Sequence, residues 1–138
     1  MVDPVVSLQK VTKSYSRAGT EVSVLQDLSF DIPAGTFLAI MGPSGSGKST
    51  LLNVMAGIDR PTSGSVVVAG TRLDGLSEGE MARWRARHIG YVFQTYNLIP
   101  VLTAAENVEL PLALTHLTRR ERADHVKTAL RLVGLGDR

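Results

Sequence analysis

Residues 42–50 read Gly42-Pro43-Ser44-Gly45-Ser46-Gly47-Lys48-Ser49-Thr50, directly after the apolar run Thr36-Phe37-Leu38-Ala39-Ile40-Met41. The run has the composition of a strand buried on both faces. Leu51, Leu52, Met55 and Ile58 follow at i, i+1, i+4 and i+7, a helical spacing. Strand, glycine-rich turn and helix start are the three parts of a phosphate cradle of the G-x-x-x-x-G-K-S/T type. Gly42, Gly45 and Gly47 lack a Cβ, so the backbone can take positive φ and approach phosphate oxygens closely. The amides of residues 45–50 can then converge on a β-phosphate, and a helix starting near Lys48 adds about half a positive charge at its N-terminus. Lys48 would set a mobile ammonium between β- and γ-phosphates, Ser49 would offer a hydroxyl to Mg²⁺, and Thr50 would give phosphate a further donor. A Gly/Ser linker has neither the buried strand nor the helix as a boundary. The stretch predicts binding of a nucleoside triphosphate.

The chain of 138 residues suits one small domain, and its 43% hydrophobic but 5% aromatic content points to an aliphatic core. Fifteen basic against 13 acidic residues leave a charge of +2, too little to argue for a nucleic-acid partner. Without cysteine, the chain has no disulfide, thiolate metal site or thiol nucleophile, which fits a reducing cytoplasm. Met1-Val2-Asp3-Pro4 has no signal-peptide character. No window reaches the roughly 18 apolar residues of a membrane span, so a membrane link is expected to run through a partner.

Around the loop, residues 5–12 read as a strand, Tyr15-Ser16-Arg17-Ala18-Gly19 as a polar turn, and residues 21–32 as a second strand pair ended by Pro33-Ala34-Gly35. Gly57 suits the C′ position of the first helix, and Asp59-Arg60-Pro61-Thr62-Ser63-Gly64 is a loop into the strand Ser65-Val66-Val67-Val68-Ala69. Ser77-Glu78-Gly79-Glu80 and Thr118-Arg119-Arg120-Glu121 have capping-box spacing. The first predicts a helix to about Arg87. The second predicts one with Ala123, Val126, Leu130 and Val133 on one face, stopping at Gly134. Ile89 to Phe93 reads as another buried strand. The sum is an α/β fold: a P-loop NTPase core with an antiparallel β side lobe. Residues 5–35 and 65–73 would form the lobe, 36–58 and 89–94 the core, and 95–138 the start of a helical lobe.

Four further elements carry a resemblance to the ATP-binding cassette ATPases. Tyr15 stands upstream of the P-loop like that family's adenine-stacking aromatic, a contact worth about 1–3 kcal/mol per base. Pro61-Thr62-Ser63-Gly64, with the valines and Gly70 after it, resembles the turn between the P-loop helix and the β lobe. Ile89-Gly90-Tyr91-Val92-Phe93-Gln94 resembles the strand ending in the glutamine loop, where Gln94 would offer its amide oxygen to Mg²⁺ or the attacking water. Residues 96–112 (Tyr96-Asn97-Leu98-Ile99-Pro100-Val101-Leu102 onward to Leu112) resemble the segment that receives a membrane permease. There Leu98, Ile99, Val101 and Leu102 either face that partner or pack inward. The wording of this segment is most similar to the lipoprotein-releasing and macrolide-export ATPases.

The resemblance implies ATP and Mg²⁺ as ligands, held by Tyr15, Gly42, Pro43, Ser44, Gly45, Ser46, Gly47, Lys48, Ser49 and Thr50, with Ser49 and Gln94 on the metal. It implies a dimer of ATPase subunits, peripheral on the cytoplasmic face of the membrane through a permease, in export or in lipoprotein, drug or peptide efflux. The family's Leu-Ser-Gly-Gly-Gln signature, Walker B carboxylate, catalytic glutamate and switch histidine have no match among the 138 residues. His88, His116 and His125 read as ordinary polar-face residues. The chain thus looks like the N-terminal part of a cassette, with only Gln94 in a supporting catalytic role. The missing Walker B strand normally lies beside the P-loop strand, so residues 37–41 are expected to present an unpaired apolar edge and the isolated chain to be weakly stable. Two alternatives stand beside transport: a catalytically incomplete nucleotide-binding fragment, and an ATPase regulator of a permease-like partner in cell division. The basic stretch Arg83-Trp84-Arg85-Ala86-Arg87-His88 reads first as a solvated helix face anchored by Trp84.

Overall fold

The computed structural model describes residues 4–17 and 19–137. It divides into two compact units, residues 1–91 and 92–138. Met1, Val2 and Asp3, and Ala18 of the expected turn, lie outside the described residues.

The first unit is built on a four-stranded antiparallel sheet in the order β2-β1-β3-β4. β1 (Pro4–Arg17) and β2 (Thr20–Pro33) form one long hairpin. The polar turn expected at residues 15–19 is therefore shorter, because pairing carries β1 to Arg17 with Tyr15 opposite Val22. The strand pair expected over residues 21–32 is a single strand. Both strands bulge where their apolar residues are spaced by three instead of two. Lys10 (φ 49°) lets Leu8 and Val11 share the core face, and Asp27 (φ 44°) does the same for Leu25 and Leu28. Side-chain oxygens take up the freed amides: Lys10 N–H donates to Ser29 Oγ at 2.8 Å, and Asp27 N–H to Thr12 Oγ1 at 3.2 Å.

β3 (Ser63–Val68) pairs with β1, and a two-residue turn with both Ala69 and Gly70 left-handed leads to β4 (Thr71–Arg72). Gly64 crosses the β1 bulge so closely that a Cβ would run into the Lys10 and Gln9 backbone. Two helices cover the sheet: α1 (Lys48–Met55) through Leu51 and Val54, and α2 (Glu78–His88) through Met81 and Trp84. Leu52 and Ile58, expected on the packed face of α1, are 46% and 45% exposed; the buried pair is spaced i, i+3. Ser77 and Glu80 form the capping box foreseen for α2. Arg83 and Arg87 face solvent while Trp84 is buried and stacks on His88 at 5.3 Å, as expected for a solvated face with an aromatic anchor.

Neither apolar run expected as a core strand is one. Residues 36–41 and 89–93 join no strand ladder, and Phe37 and Met41 are 97% and 90% exposed. A strand is defined by a hydrogen-bonded neighbour, and the described residues supply none parallel to these runs.

The second unit holds α3 (Ala104–Glu109), a 3₁₀ turn (Leu110–Leu114) and α4 (Arg119–Leu132). Capping boxes Thr103/Glu106 and Thr118/Glu121 start the two helices, the second as foreseen. On α4 only Val126 and Leu130 are buried; Ala123 and Val133 are exposed. Gly134 and Leu135 return amides to Arg131 and Leu130 to close the helix. Arg122 Nε donates to Glu109 Oε1 at 3.0 Å, tying α4 to α3. Among the described residues no helix is long and apolar enough to cross a membrane.

Candidate functional site

The loop of residues 42–47 feeds α1 through Gly47, whose left-handed conformation (φ 89°) makes the N-cap. An alanine Cβ there would stand 3.0 Å from the Val24 carbonyl oxygen and 3.2 Å from Leu25 Cδ2, so the loop is seated directly on β2. No side chain caps α1, and its first turn holds no acid. The other three α-helices each close their N-terminus with a hydroxyl and a glutamate. The α1 terminus keeps its positive end uncompensated. That donor set suits an oxyanion.

Lys48 folds back over the loop, its Nζ donating to the carbonyl oxygens of Gly42 (2.9 Å) and Pro43 (2.7 Å). Ser46 Oγ is also in reach at 3.4 Å. Ser44 and Ser49 are exposed on the loop and on the first helical turn. A cleft of about 410 Å³ flanks the loop between β2 and residues 40–43, with Val24, Leu28, Ile40 and Met41 among its apolar walls.

Tyr15 joins the loop's helix through a cluster that sequence reasoning missed. Its hydroxyl donates to Asp59 Oδ2 at 2.6 Å. Lys13 Nζ donates to Asp59 Oδ1 at 2.7 Å and to the Arg60 carbonyl at 2.8 Å, and lies 4.7 Å from the Tyr15 ring centroid. Asp59 is fixed in turn: α1 ends in a Gly57 turn (φ 64°), and the Ile58 and Asp59 amides both donate to the Asn53 carbonyl. The hydrogen bond to Asp59 pushes the Tyr15 hydroxyl above its ordinary range, burial adds to this, and a contact with the Thr50 hydroxyl opposes it. Burial alone would raise Asp59, but hydrogen bonds from Lys13 and Tyr15 outweigh it and hold the carboxyl low. The available signal was spacing: Lys13 and Tyr15 are i and i+2 on one strand, hence on one face.

Gln94 lies in the second unit, exposed, at a bend. In that unit Asn107 clips the segment before α3. Its Oδ1 accepts from the Ile99 amide at 2.8 Å, and its Nδ2 donates to the carbonyls of Ile99 (3.2 Å), Leu102 (3.1 Å) and Thr103 (3.0 Å). Leu98, Ile99 and Val101 are 63%, 38% and 89% exposed while Leu102 is half-buried, so the four residues divide between the outward and the inward arrangement.

Residues 25–138 match the family described as ABC transporter. An uncharacterized ABC transporter ATP-binding protein of Thermotoga maritima is 46% identical over 97% of this chain and 57% of its own length. The macrolide export ATP-binding/permease protein MacB of Burkholderia pseudomallei is 42% identical over the whole chain and 21% of its own length. The solved dimeric ATP-binding cassette MJ0796, in a post-hydrolysis state bound to ADP and Pi, superposes with a TM-score of 0.84 at 40% identity, covering 94% of this chain and 57% of that one. The chain spans little more than half of the cassettes it matches. With the fold and the family pattern in agreement, this chain belongs to the ABC transporter family, as an ATP-binding domain.

Proposed function

We propose that the chain binds Mg-ATP as the nucleotide-holding part of a transport ATPase that drives a membrane permease. The observation that most supports this is the uncapped, acid-free N-terminus of α1 beneath a loop over which Lys48 is folded. The amides of residues 45–50 would take the phosphates, with Gly42, Pro43, Ser44 and Ser46 shaping the turn. Lys48 would exchange two carbonyl dipoles for phosphate oxygens, and an ammonium hydrogen-bonded to full negative charge is the stronger arrangement. Ser49 would offer an oxygen to Mg²⁺, whose chemistry is to neutralise charge on the β- and γ-phosphates. Among the described residues no His, Asp and Glu side chains cluster into a metal cage, which fits a cation held largely by nucleotide. Tyr15 would present its ring to the base.

The exposed apolar segment 96–112 would meet the permease and bring the chain to the cytoplasmic face of a membrane. The likeness to MacB favours export, and the likeness to a dimeric cassette favours a pair of subunits closing on two nucleotides. The test is ATP turnover by the full-length protein, alone and reconstituted with a permease partner. Turnover that rises with the permease and vanishes in Lys48→Met supports the proposal. A rate that ignores both changes contradicts it.

A further inference from the structure

We propose that Lys13 and Asp59 are positioning residues for the nucleotide base, acting through Tyr15; this rests on the proposed stacking of a base on that tyrosine. A lone tyrosine near a strand end rotates about two torsions, and a rotating ring is a poor platform. Here the ring is held at two points. Its hydroxyl is bonded to Asp59 at 2.6 Å, and the Lys13 ammonium lies over the ring at 4.7 Å. The Lys13 side chain is only 12% exposed, so its charge is committed to this contact and to Asp59 at 2.7 Å.

Two consequences follow from that geometry. One face of Tyr15 is taken by the ammonium, so a planar ligand has one face left to stack on. Asp59 is also anchored to the C-terminal turn of α1, whose N-terminal turn carries the loop. The same helix therefore sets the distance between the aromatic plate and the phosphate-facing amides. Lys13 and Asp59 would fix the ring in its binding orientation before a nucleotide arrives, which removes an ordering cost from binding.

The test uses titration calorimetry of the full-length protein with Mg-ATP and, separately, Mg-tripolyphosphate, which has no base. Lys13→Met and Asp59→Asn are each expected to weaken ATP about five- to tenfold, a part of the stacking contribution. Both should leave tripolyphosphate within about twofold. Lys13→Arg keeps the cation and should restore most of the loss. In a Tyr15→Ala background the Lys13 and Asp59 substitutions should cost nothing more. Equal losses for both ligands, or losses that persist without Tyr15, would overturn the proposal in favour of a merely structural role. If Tyr15→Ala itself leaves ATP affinity unchanged, the stacking on Tyr15 falls, and this inference with it. If Tyr15→Ala weakens ATP while the Lys13 and Asp59 variants do not, only this inference falls.

Discussion

Replacing Gly47 by alanine perturbs both the seat of the loop and the core. At φ 89° an L residue is in left-handed territory, which costs about 1–2 kcal/mol. The new Cβ would also stand 3.0 Å from the Val24 carbonyl oxygen, 3.1 Å from Val24 Cγ1 and 3.2 Å from Leu25 Cδ2. Val24 is the extra residue of a bulge in β2 opposite Lys13 and Ser14, and Leu25 beside it is 7% exposed within the core, so β2 must give. Crowding of that kind adds about 1–3 kcal/mol. The total is about 2–5 kcal/mol. Gly45→Ala is the control, because Gly45 has φ 81° and nothing within 4 Å of an added Cβ. It should lose only the backbone share, about 1–2 kcal/mol. Any gain from stiffening the unfolded chain is common to both and cancels in their difference. Urea unfolding of the full-length variants reads that difference directly. Equal losses would refute the claim that the loop is seated on β2.

Lys48→Met should lower affinity for Mg-ATP more than tenfold while moving the melting midpoint little, since exposed polar contacts of this kind contribute about 0–1 kcal/mol; calorimetry and a thermal melt check the pair. Asn107→Ala removes the four side-chain bonds that Asn107 makes to residues 99, 102 and 103, and hydrogen exchange should quicken at the Ile99 amide with α4 protection unchanged. Trp84→Ala empties a site 6% exposed against Met81 and should cost about 3–5 kcal/mol in urea unfolding. For pH, burial raises Asp59 and Asp74, but hydrogen bonds outweigh it. Bonds within the capping boxes lower Glu80, Glu106 and Glu121. Depressed carboxyls bind protons less in the folded state, so their stabilisation is complete above the ordinary values of 3.8 and 4.5 and is lost as pH falls through the lower folded ones. Tyr15 is raised, so its share is complete below 10.0 and is lost as pH rises through the higher folded value. An acid midpoint unmoved by Asp59→Asn would contradict the first half.

Local chemistry was legible in the sequence. The loop at residues 42–50, the Gly57 and Gly134 helix ends and the capping boxes at Ser77 and Thr118 are each set by neighbours within a few residues. Pairing was not. An apolar run such as residues 36–41 shows burial propensity but not the strand that must lie beside it. The bulges at Lys10 and Asp27 changed which residues share a face without any glycine to announce them. Lys13 and Asp59 escaped notice because they are separated by 46 positions and meet only when β1 closes against the end of α1. Asn107 lies within residues 96–112, yet its four bonds depend on a loop path that composition does not encode.

The central claim is that residues 42–50 hold the phosphates of ATP. The most direct measurement is titration of the full-length protein with Mg-ATP, repeated with Lys48→Met. Saturable binding in the micromolar-to-millimolar range, lost in the variant while its fold is retained, is the predicted result. Binding that survives the substitution, or no binding by the folded wild-type protein, would contradict the account.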